Sequence, residues 1–150
     1  MINAAHLPDR EEIYFQAPYF TLYYNKQQRL ARAVWNGFLN SEEFRTASNT
    51  CLDLVEEQQT LYWLADNRKM KAIRQHDQDW FVQSILPRLA KSSLRKMATL
   101  VSEDIFNRMA VASLESKANE VVNFDTYYFK SEKEALAWLT ESALENSMLA

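Results

Sequence analysis

The chain has one glycine and one cysteine among its 150 residues, Gly37 and Cys51. A single glycine excludes a glycine-rich phosphate-binding loop, and it argues against an all-β barrel, whose tight turns need several residues at positive φ. A single cysteine excludes an intrachain disulfide. No apolar run approaches the roughly 18 to 20 residues that span a bilayer, and no secretory signal opens the chain. We therefore expect a cytoplasmic protein in a reducing compartment.

Catalytic and cofactor-binding motifs are also missing. The sequence contains neither a nucleotide-binding glycine pattern nor a Ser-His-Asp or Cys-His arrangement. His76, Asp77 and Asp79 lie close together, but a transition-metal site needs about three or four ligands, typically His or Cys, and the other histidine is His6. Cys51 falls on an apolar helix face, which favours a small core residue over a nucleophile. We predict a non-enzymatic protein without metal or cofactor; an enzyme would need an acid–base pair assembled from distant residues.

Charge of either sign is modest overall but unevenly distributed. The 17 basic and 20 acidic residues give a net charge of −3, which offers no general argument for nucleic-acid binding, and we predict none. Residues 68–96, however, contain eight basic residues and two acidic ones. A basic surface on an acidic protein suits an acidic protein, a phosphorylated partner or an anionic lipid surface, and the alternative is an ordinary solvated surface. The eight are Arg68, Lys69, Lys71, Arg74, Arg88, Lys91, Arg95 and Lys96.

Apolar residues are abundant, at 47% of the chain, and their spacing predicts the secondary structure. We predict strand segments at 13–15 and 19–24, a turn at 25–28 and a strand at 29–38, followed by a helix from Asn40 or Ser41 to about 58. A strand at 61–65, a helix capped by Asp77, a strand at 94–101 and a helix capped by Ser102 come next. The last predicted elements are a strand within 121–129 and a helix that begins at the capping box Ser131–Glu134. Pro87 should kink or restart its helix. The buried face of the helix after Ser102 should carry Ile105, Phe106, Met109, Ala112 and Val111 or Leu114.

The predicted order is β-β-α-β-α-β-α-β-α. Strands that alternate with helices indicate an α/β fold with a largely parallel sheet, and the opening hairpin makes that sheet mixed. We expect about five strands, with about four helices mainly on one side. The chain should form one domain over residues 1–150, with its core at about 13–140 and loose segments at 1–11 and 143–150.

This layout resembles the STAS or SpoIIAA-like fold of bacterial anti-sigma-factor antagonists and sulfate-transporter tails, and more specifically the stand-alone STAS/SEC14-like proteins. The residues that carry the resemblance are Trp63-Leu-Ala-Asp66-Asn-Arg68, Asp79-Trp80-Phe81, Pro87 and Phe129-x-Ser131-x-x-Glu134-Ala135-x-Ala-Trp138-Leu139. The resemblance implies a phosphorylatable Ser or Thr at the start of the helix after the central strand. The matching residues 66–70 contain no hydroxyl group, so we predict no such switch there.

The end of the strand at 61–65 is the predicted binding site, because ligands and partners favour the carboxyl ends of strands in open α/β sheets. Arg68 offers a planar fork for a carboxylate or phosphate, and Asp66 could orient it. The alternative is that Asp66 caps a turn and Arg68 is solvated. We predict a regulatory or protein-interaction module whose acidic or regulatory protein partner contacts this loop and the following helix. The predicted contact residues are Asp66, Asn67, Arg68, Lys69, Lys71, Arg74 and Trp80.

Two further interpretations stay open. Similarity to the SEC14-like group implies an apolar or lipid-like ligand between the helices and the sheet, and Trp35, Trp63, Trp80 and Trp138 could line its pocket, although such residues more often fill a core. The aromatic N-terminal strands could pair two copies of the chain as a homodimer, or helices of the same chain could cover them.

Overall fold

The computed structural model of the protein describes the backbone of residues 11–149 and the side chains of residues 11–141. Residues 1–10 of the segment 1–11 that we predicted to be loose lie outside the described residues. The prediction was wrong at Glu11, which begins the first strand and is buried. The elements are β1 (Glu11–Ala17), β2 (Phe20–Asn25), β3 (Leu30–Gly37), α1 (Ser41–Gln58), β4 (Tyr62–Met70), α2 (Gln75–Ser84), α3 (Leu86–Ala90), β5 (Lys96–Leu100), α4 (Ile105–Ala118), β6 (Asp125–Phe129) and α5 (Glu132–Leu149).

The strands form one mixed sheet in the order β1-β2-β3-β4-β5-β6. The pairs β1–β2 and β2–β3 are antiparallel, and the pairs from β3 to β6 are parallel. The predicted α/β class is confirmed, with six strands and five helices. The additional strand arises because the N-terminal aromatic segment turns at Pro18, so that Ala17 pairs with Phe20. The additional helix arises because one helix ends before Pro87 and a new one begins there, since proline fits the first turn of a helix but not its interior.

The sheet has a separate apolar core on each face. On one face, α1 to α4 pack on the sheet around residues such as Leu52, Trp63 and Ala110. On the other face, Ala135 and Leu139 of α5 pack on strand residues from β3, β4 and β5. Four of the five helices therefore share one face, in line with the prediction that the helices lie mainly on one side.

Helix α1 begins where its sequence predicts. The side chain of Asn40 accepts a hydrogen bond from the backbone N–H of Glu43, and the side-chain carboxylate of Glu43 accepts one from the backbone N–H of Asn40. This reciprocal pair satisfies N–H groups that the first helical turn cannot satisfy within the helix. The helix ends at Gln58, because Gln59 adopts a left-handed conformation with φ of 52°.

The predicted N-caps of α2 and α4 were wrong. Helix α2 begins at Gln75 with Arg74 at the cap, and Asp77 is buried inside its first turn, where it accepts a hydrogen bond from the Ser41 hydroxyl at 3.1 Å. Helix α4 is capped by Asp104, whose carboxylate accepts from two backbone N–H groups. The Ser102 hydroxyl donates instead to the carbonyl of Met70 at 2.7 Å. Both predicted N-cap residues therefore form tertiary hydrogen bonds instead of capping their helices.

Two predicted boundaries also differ. Strand β4 does not stop at residue 65 but runs to Met70, because Asn36 and Gly37 of β3 continue to pair with Lys69 and Met70 beyond an irregularity in the register. Helix α5 continues to Leu149, through the segment that we predicted to be loose. Among the described residues, no helix is both long and apolar enough to cross a membrane.

Candidate functional site

Asp66, Asn67 and Arg68 are consecutive residues of strand β4, so their side chains alternate between the two faces of the sheet. Asn67 lies on the same face as Trp63 and Ala65, beneath α1 to α4. Asp66 and Arg68 lie on the face of α5. These three predicted contact residues therefore do not form one surface, since β4 continues as a strand where the sequence indicated a loop.

The guanidinium group of Arg68 is already paired within the chain. It donates to both carboxylate oxygens of Asp66, at 2.9 and 2.7 Å, and to Oε1 of Glu132 at 3.1 Å. Glu132 is the first residue of α5. The planar fork that we predicted for a ligand therefore links the end of β4 to the start of α5.

A second ion pair adjoins the first on the same face of the sheet. Arg32 donates to both carboxylate oxygens of Glu11, at 3.0 and 2.8 Å, and its guanidinium carbon lies 4.0 Å from the centre of the Tyr23 ring. Burial alone would raise the pKa of Asp66. The hydrogen bonds from Arg68, together with the charges of Arg68 and Arg32, outweigh burial and lower that pKa below its ordinary value of 3.8.

Lys69, Lys71 and Arg74 are exposed at the carboxyl end of β4. None of the three side chains forms an ion pair among the described residues. The guanidinium carbon of Arg74 lies 5.0 Å from the centre of the Phe38 ring. These three predicted contact residues share one edge of the sheet, whereas Arg68 points toward α5.

The start of α4 lies at the same edge, where a side-chain amide of α4 hydrogen-bonds a backbone carbonyl at the end of β4. The N–H of Lys71 donates to the carbonyl of Gly37 at 2.9 Å, and the side-chain amide of Asn107 donates to the carbonyl of Lys71 at 2.9 Å. Phe38 follows Gly37 and Phe106 precedes Asn107, so the ends of β3, β4 and the first turn of α4 form one continuous margin. We call this surface the carboxyl-end rim; it comprises Phe38, Lys69, Lys71, Arg74, Ile105, Phe106 and Met109.

The predicted buried face of α4 was wrong for Ile105, Phe106 and Met109, although Val111 and Leu114 pack against the core as predicted. The error at the first three residues identifies the apolar part of the rim. Ile105, Phe106 and Met109 are 55%, 66% and 62% exposed, and Phe38 is 49% exposed. Helix α4 turns Asn107 and Ala110 toward the protein instead. The hydrogen bond from Asn107 to the end of β4 fixes this rotation of the helix, which apolar spacing alone could not reveal.

The remaining basic residues of segment 68–96 do not join the rim. Arg88 pairs with Glu56 of α1, and Lys96 lies 3.6 Å from a carboxylate oxygen of Glu141. Lys96 opens β5 and so lies at the amino end of that strand, opposite the rim. The basic segment is therefore divided between two ends of the sheet.

The four tryptophans occupy three different places. Trp35 and Trp63 line a cavity between the sheet and the helices. Trp80 is half-buried between α1 and α2, where its ring meets Phe44 edge-on at 6.2 Å, so this predicted contact residue lies away from the rim. Trp138 packs on the α5 face, with its ring centre 5.7 Å from that of Phe129.

The cavity lined by Trp35 and Trp63 has a volume of about 150 Å³ and lies under α1 to α4. Its walls are almost entirely apolar. A neighbouring cleft of about 280 Å³ lies between α4 and the last strands, and the residues Asn67, Thr99 and Val111 line both spaces. The small polar side chains in the cavity wall are Ser48, Asn67, Thr99 and Thr126.

Glu115 of α4 also lines the cavity, and the sequence did not predict a role for it. Its carboxylate accepts a hydrogen bond from the Thr126 hydroxyl at 3.2 Å, and the Tyr128 hydroxyl is close enough to interact with it. Burial raises the pKa of Glu115, and the two hydroxyl groups offset only part of that rise. A sequence signal existed: Glu115 lies four residues after Val111 and three before Ala118, so it interrupts an apolar helix stripe.

The other residues considered for chemistry have ordinary surroundings. Nε2 of His76 lies 3.1 Å from a guanidinium nitrogen of Arg45, and Asp79 accepts a hydrogen bond from Gln75. Burial raises the pKa of the Cys51 thiol, which makes it a poor nucleophile at neutral pH. Within the part of the chain that the structure describes, no three His, Cys, Asp or Glu side chains gather closely enough to hold a metal ion.

The N-terminal aromatic strands are partly covered by helices of the same chain. Phe20 and Tyr24 are buried in the core beneath α1 to α4. Ile13 and Tyr14 of the edge strand β1 are 55% and 37% exposed. The homodimer stays a prediction.

Comparison with known proteins identifies the class to which this sheet and its helices belong. A family model described as SpoIIAA-like matches residues 30–140, so the chain belongs to the SpoIIAA-like family, as its sequence pattern predicted. Among solved structures, the chain is similar to an uncharacterised DUF3478-family protein from Shewanella loihica PV-4 that has a SpoIIAA-like fold. That match has a TM-score of 0.51 and 14% identity, and it covers 86% of this chain and 91% of the other. No curated protein matches the sequence.

Proposed function

We propose that the protein is a non-enzymatic interaction module that binds an acidic protein partner through the carboxyl-end rim. The observation that carries this proposal is the combination of unpaired cations and exposed apolar side chains on one margin. Lys69, Lys71 and Arg74 form no ion pair among the described residues. The guanidinium of Arg74 lies over the ring of Phe38, which is 49% exposed, and Asn107, the neighbour of the 66% exposed Phe106, bonds the carbonyl of Lys71. The SpoIIAA-like fold is commonly a protein-interaction module, which agrees with this use.

The two parts of the rim would contribute differently to binding. Burial of the aromatic side chains and Met109 supplies free energy in proportion to the apolar area removed from water. Aromatic residues, Met and Arg are the types enriched where proteins bind one another. Lys69, Lys71 and Arg74 favour a partner of opposite charge and speed its approach. The expected partner therefore presents an apolar centre bordered by Asp and Glu.

A phosphorylation switch is not part of this proposal. No Ser or Thr occurs between Asp66 and Asp79, so the segment that joins β4 to α2 offers no hydroxyl group to a Ser/Thr kinase. Binding at the rim would instead depend on the abundance of the partner or on ionic strength.

The test combines the substitutions Lys71→Glu and Arg74→Glu. A protein from the host lysate should be captured by the wild type, and the same protein, once purified, should bind the variant at least about tenfold more weakly. Phe106→Ala should weaken binding too, because it removes apolar contact area. The matched control is Lys91→Glu with Arg95→Glu, an equal charge change on exposed residues outside the rim.

Two outcomes would overturn this proposal. One is equal loss of binding in the control variant, which would show a general charge effect. The other is sedimentation of the wild type with vesicles of phosphatidylglycerol and phosphatidylcholine, abolished by the rim substitutions, with no protein captured. That result would assign the rim to a membrane surface.

A second candidate function is the binding of a small apolar ligand between the helices and the sheet. The cavity of about 150 Å³ favours it, because cores are normally packed without voids of this size. An engineered apolar cavity of similar size binds benzene. Native mass spectrometry of protein purified from its host should detect a bound small molecule, and a ligand-free spectrum together with no binding of toluene would exclude this function.

A further inference from the structure

The polar groups of the cavity wall are few and specific, and they carry information about what the cavity could bind. Glu115 is the one acidic or basic side chain among the cavity-lining residues that the structure describes. The rest of the wall is apolar apart from small hydroxyl, thiol and amide side chains. A ligand that fills this space must therefore be largely apolar and must satisfy Glu115 at one end.

The surroundings of the Glu115 carboxylate indicate which polar group of a ligand it would bind. Thr126 donates a hydrogen bond to the carboxylate, and the Tyr128 hydroxyl interacts with it. An ionised carboxylate has about four acceptor sites, so it retains the capacity to accept more. No basic side chain forms an ion pair with Glu115 among the described residues. Burial without a cation disfavours the ionised form and raises the pKa of Glu115, and a cation beside it would reverse that penalty.

Ser48 provides an independent observation on the opposite wall. Its hydroxyl group is buried, with 2% of the residue exposed, and it has no hydrogen-bond partner among the described residues. Ser48 belongs to α1 and lines the same cavity. Buried hydroxyl groups are normally paired, because an unsatisfied one costs about 1 to 3 kcal/mol. The Ser48 hydroxyl is therefore a second polar group of the wall that the described part of the chain does not satisfy.

We propose that the cavity binds a small apolar amine, with its ammonium group held by Glu115 and its apolar body among the aromatic and aliphatic side chains of the wall. This inference rests on the second candidate function, since it requires that the cavity take up a ligand at all. The volume suits one aromatic ring with a short aminoalkyl chain. Carboxylates and phosphates of the same size are excluded, because each would place an anion against Glu115.

The test uses four probes of one size: benzylamine, benzyl alcohol, toluene and benzoate. Binding to the full chain is measured by isothermal titration and by shifts of the amide resonances of residues in the cavity wall. We expect benzylamine to bind most tightly, the alcohol and toluene to bind more weakly, and benzoate to show no binding. Glu115→Gln should weaken benzylamine binding by about tenfold or more, because a charge-assisted hydrogen bond is lost.

Two controls separate the possible outcomes. Glu115→Gln should leave toluene binding unchanged, and Glu120→Gln, a change at an exposed glutamate just beyond α4, should leave all four affinities unchanged. If toluene binds as well as benzylamine, the cavity takes apolar ligands but the amine proposal is overturned. If none of the probes binds, the ligand-binding function itself fails, and the interaction-module proposal is unaffected.

Discussion

At the scale of single residues, the carboxylate of Asp66 lies 2.7 Å from a guanidinium nitrogen of Arg68, and the side chain of Asp66 is only 9% exposed. The sequence predicted that Asp66 could orient Arg68, and the two side chains do pair. It placed both residues in a loop beyond a strand that ends at residue 65, whereas β4 continues past them. The sequence could not predict that Glu132, which belongs to the distant helix α5, would accept a hydrogen bond from the Arg68 guanidinium.

Asp66→Asn should change how stability depends on pH. Because the folded-state pKa of Asp66 is lowered below 3.8, its ionised form contributes stability that is fully present above pH 3.8 and is lost as the pH falls through the folded-state pKa. We expect the variant to be about 1 to 2 kcal/mol less stable at pH 7, with a difference that shrinks in acid. Urea unfolding measured across this pH range checks the prediction.

The exposed Asp79 provides the comparison for this experiment. Asp79→Asn should reproduce the wild-type acid dependence. Parallel stability curves for the wild type and Asp66→Asn below pH 4 would contradict the proposed role of the Asp66–Arg68 pair.

Ser48→Ala should stabilise the ligand-free protein. The substitution removes a buried hydroxyl group that has no hydrogen-bond partner in the described part of the chain, and alanine is the better helix former at this position within α1. We expect a gain of about 1 kcal/mol in the free energy of unfolding. Chemical denaturation checks the gain, and Ser41→Ala, which removes a hydroxyl group that donates to Asp77, should destabilise instead. A loss of stability in Ser48→Ala would show that this hydroxyl is satisfied.

At the scale of elements, α1 and α4 show where sequence patterns succeed and where they fail. In α1, the N-cap and the apolar face both lie where the sequence pattern places them, so the start and the rotation of this helix were predictable. The pattern of α4 was misleading, because its most apolar residues face solvent and a buried asparagine faces the protein. A polar residue that hydrogen-bonds a strand end overrides hydrophobic spacing, and such a bond appears only with tertiary structure.

Asn107→Ala should loosen the start of α4. The side chain of Asn107 is 1% exposed and donates to the carbonyl of Lys71, so its loss leaves that carbonyl without this donor. We expect destabilisation by about 1 to 3 kcal/mol. We also expect faster amide hydrogen exchange in the first turn of α4, with α1 unchanged at equal stability. Uniform acceleration across both helices would indicate global destabilisation and would contradict a local tether.

At the scale of the whole molecule, the sheet separates two cores that would serve different purposes. Leu52 and Leu139 are both fully buried, but Leu52 lines the cavity whereas Leu139 packs between α5 and the sheet on the opposite face. Leu52→Ala and Leu139→Ala should each cost about 2 to 5 kcal/mol of stability. Only Leu52→Ala should alter toluene affinity, as measured by titration on the folded fraction. Equal effects of both substitutions on toluene binding would show that the two cores are coupled.

Strand β4 borders the apolar cavity through Trp63 and Asn67, the face of α5 through Asp66 and Arg68, and the carboxyl-end rim through Lys69. Its side chains alternate between the two faces of the sheet up to the irregularity in its register with β3. Substitutions along it act on one of these regions at a time. A deletion or insertion of one residue between Tyr62 and Ala65 would act on all of them, because it would exchange the two faces for every later residue of the strand. Asp66 and Arg68 would then face the apolar cavity, and Asn67 would face α5. The length of this strand should therefore vary far less among functional homologues than its composition.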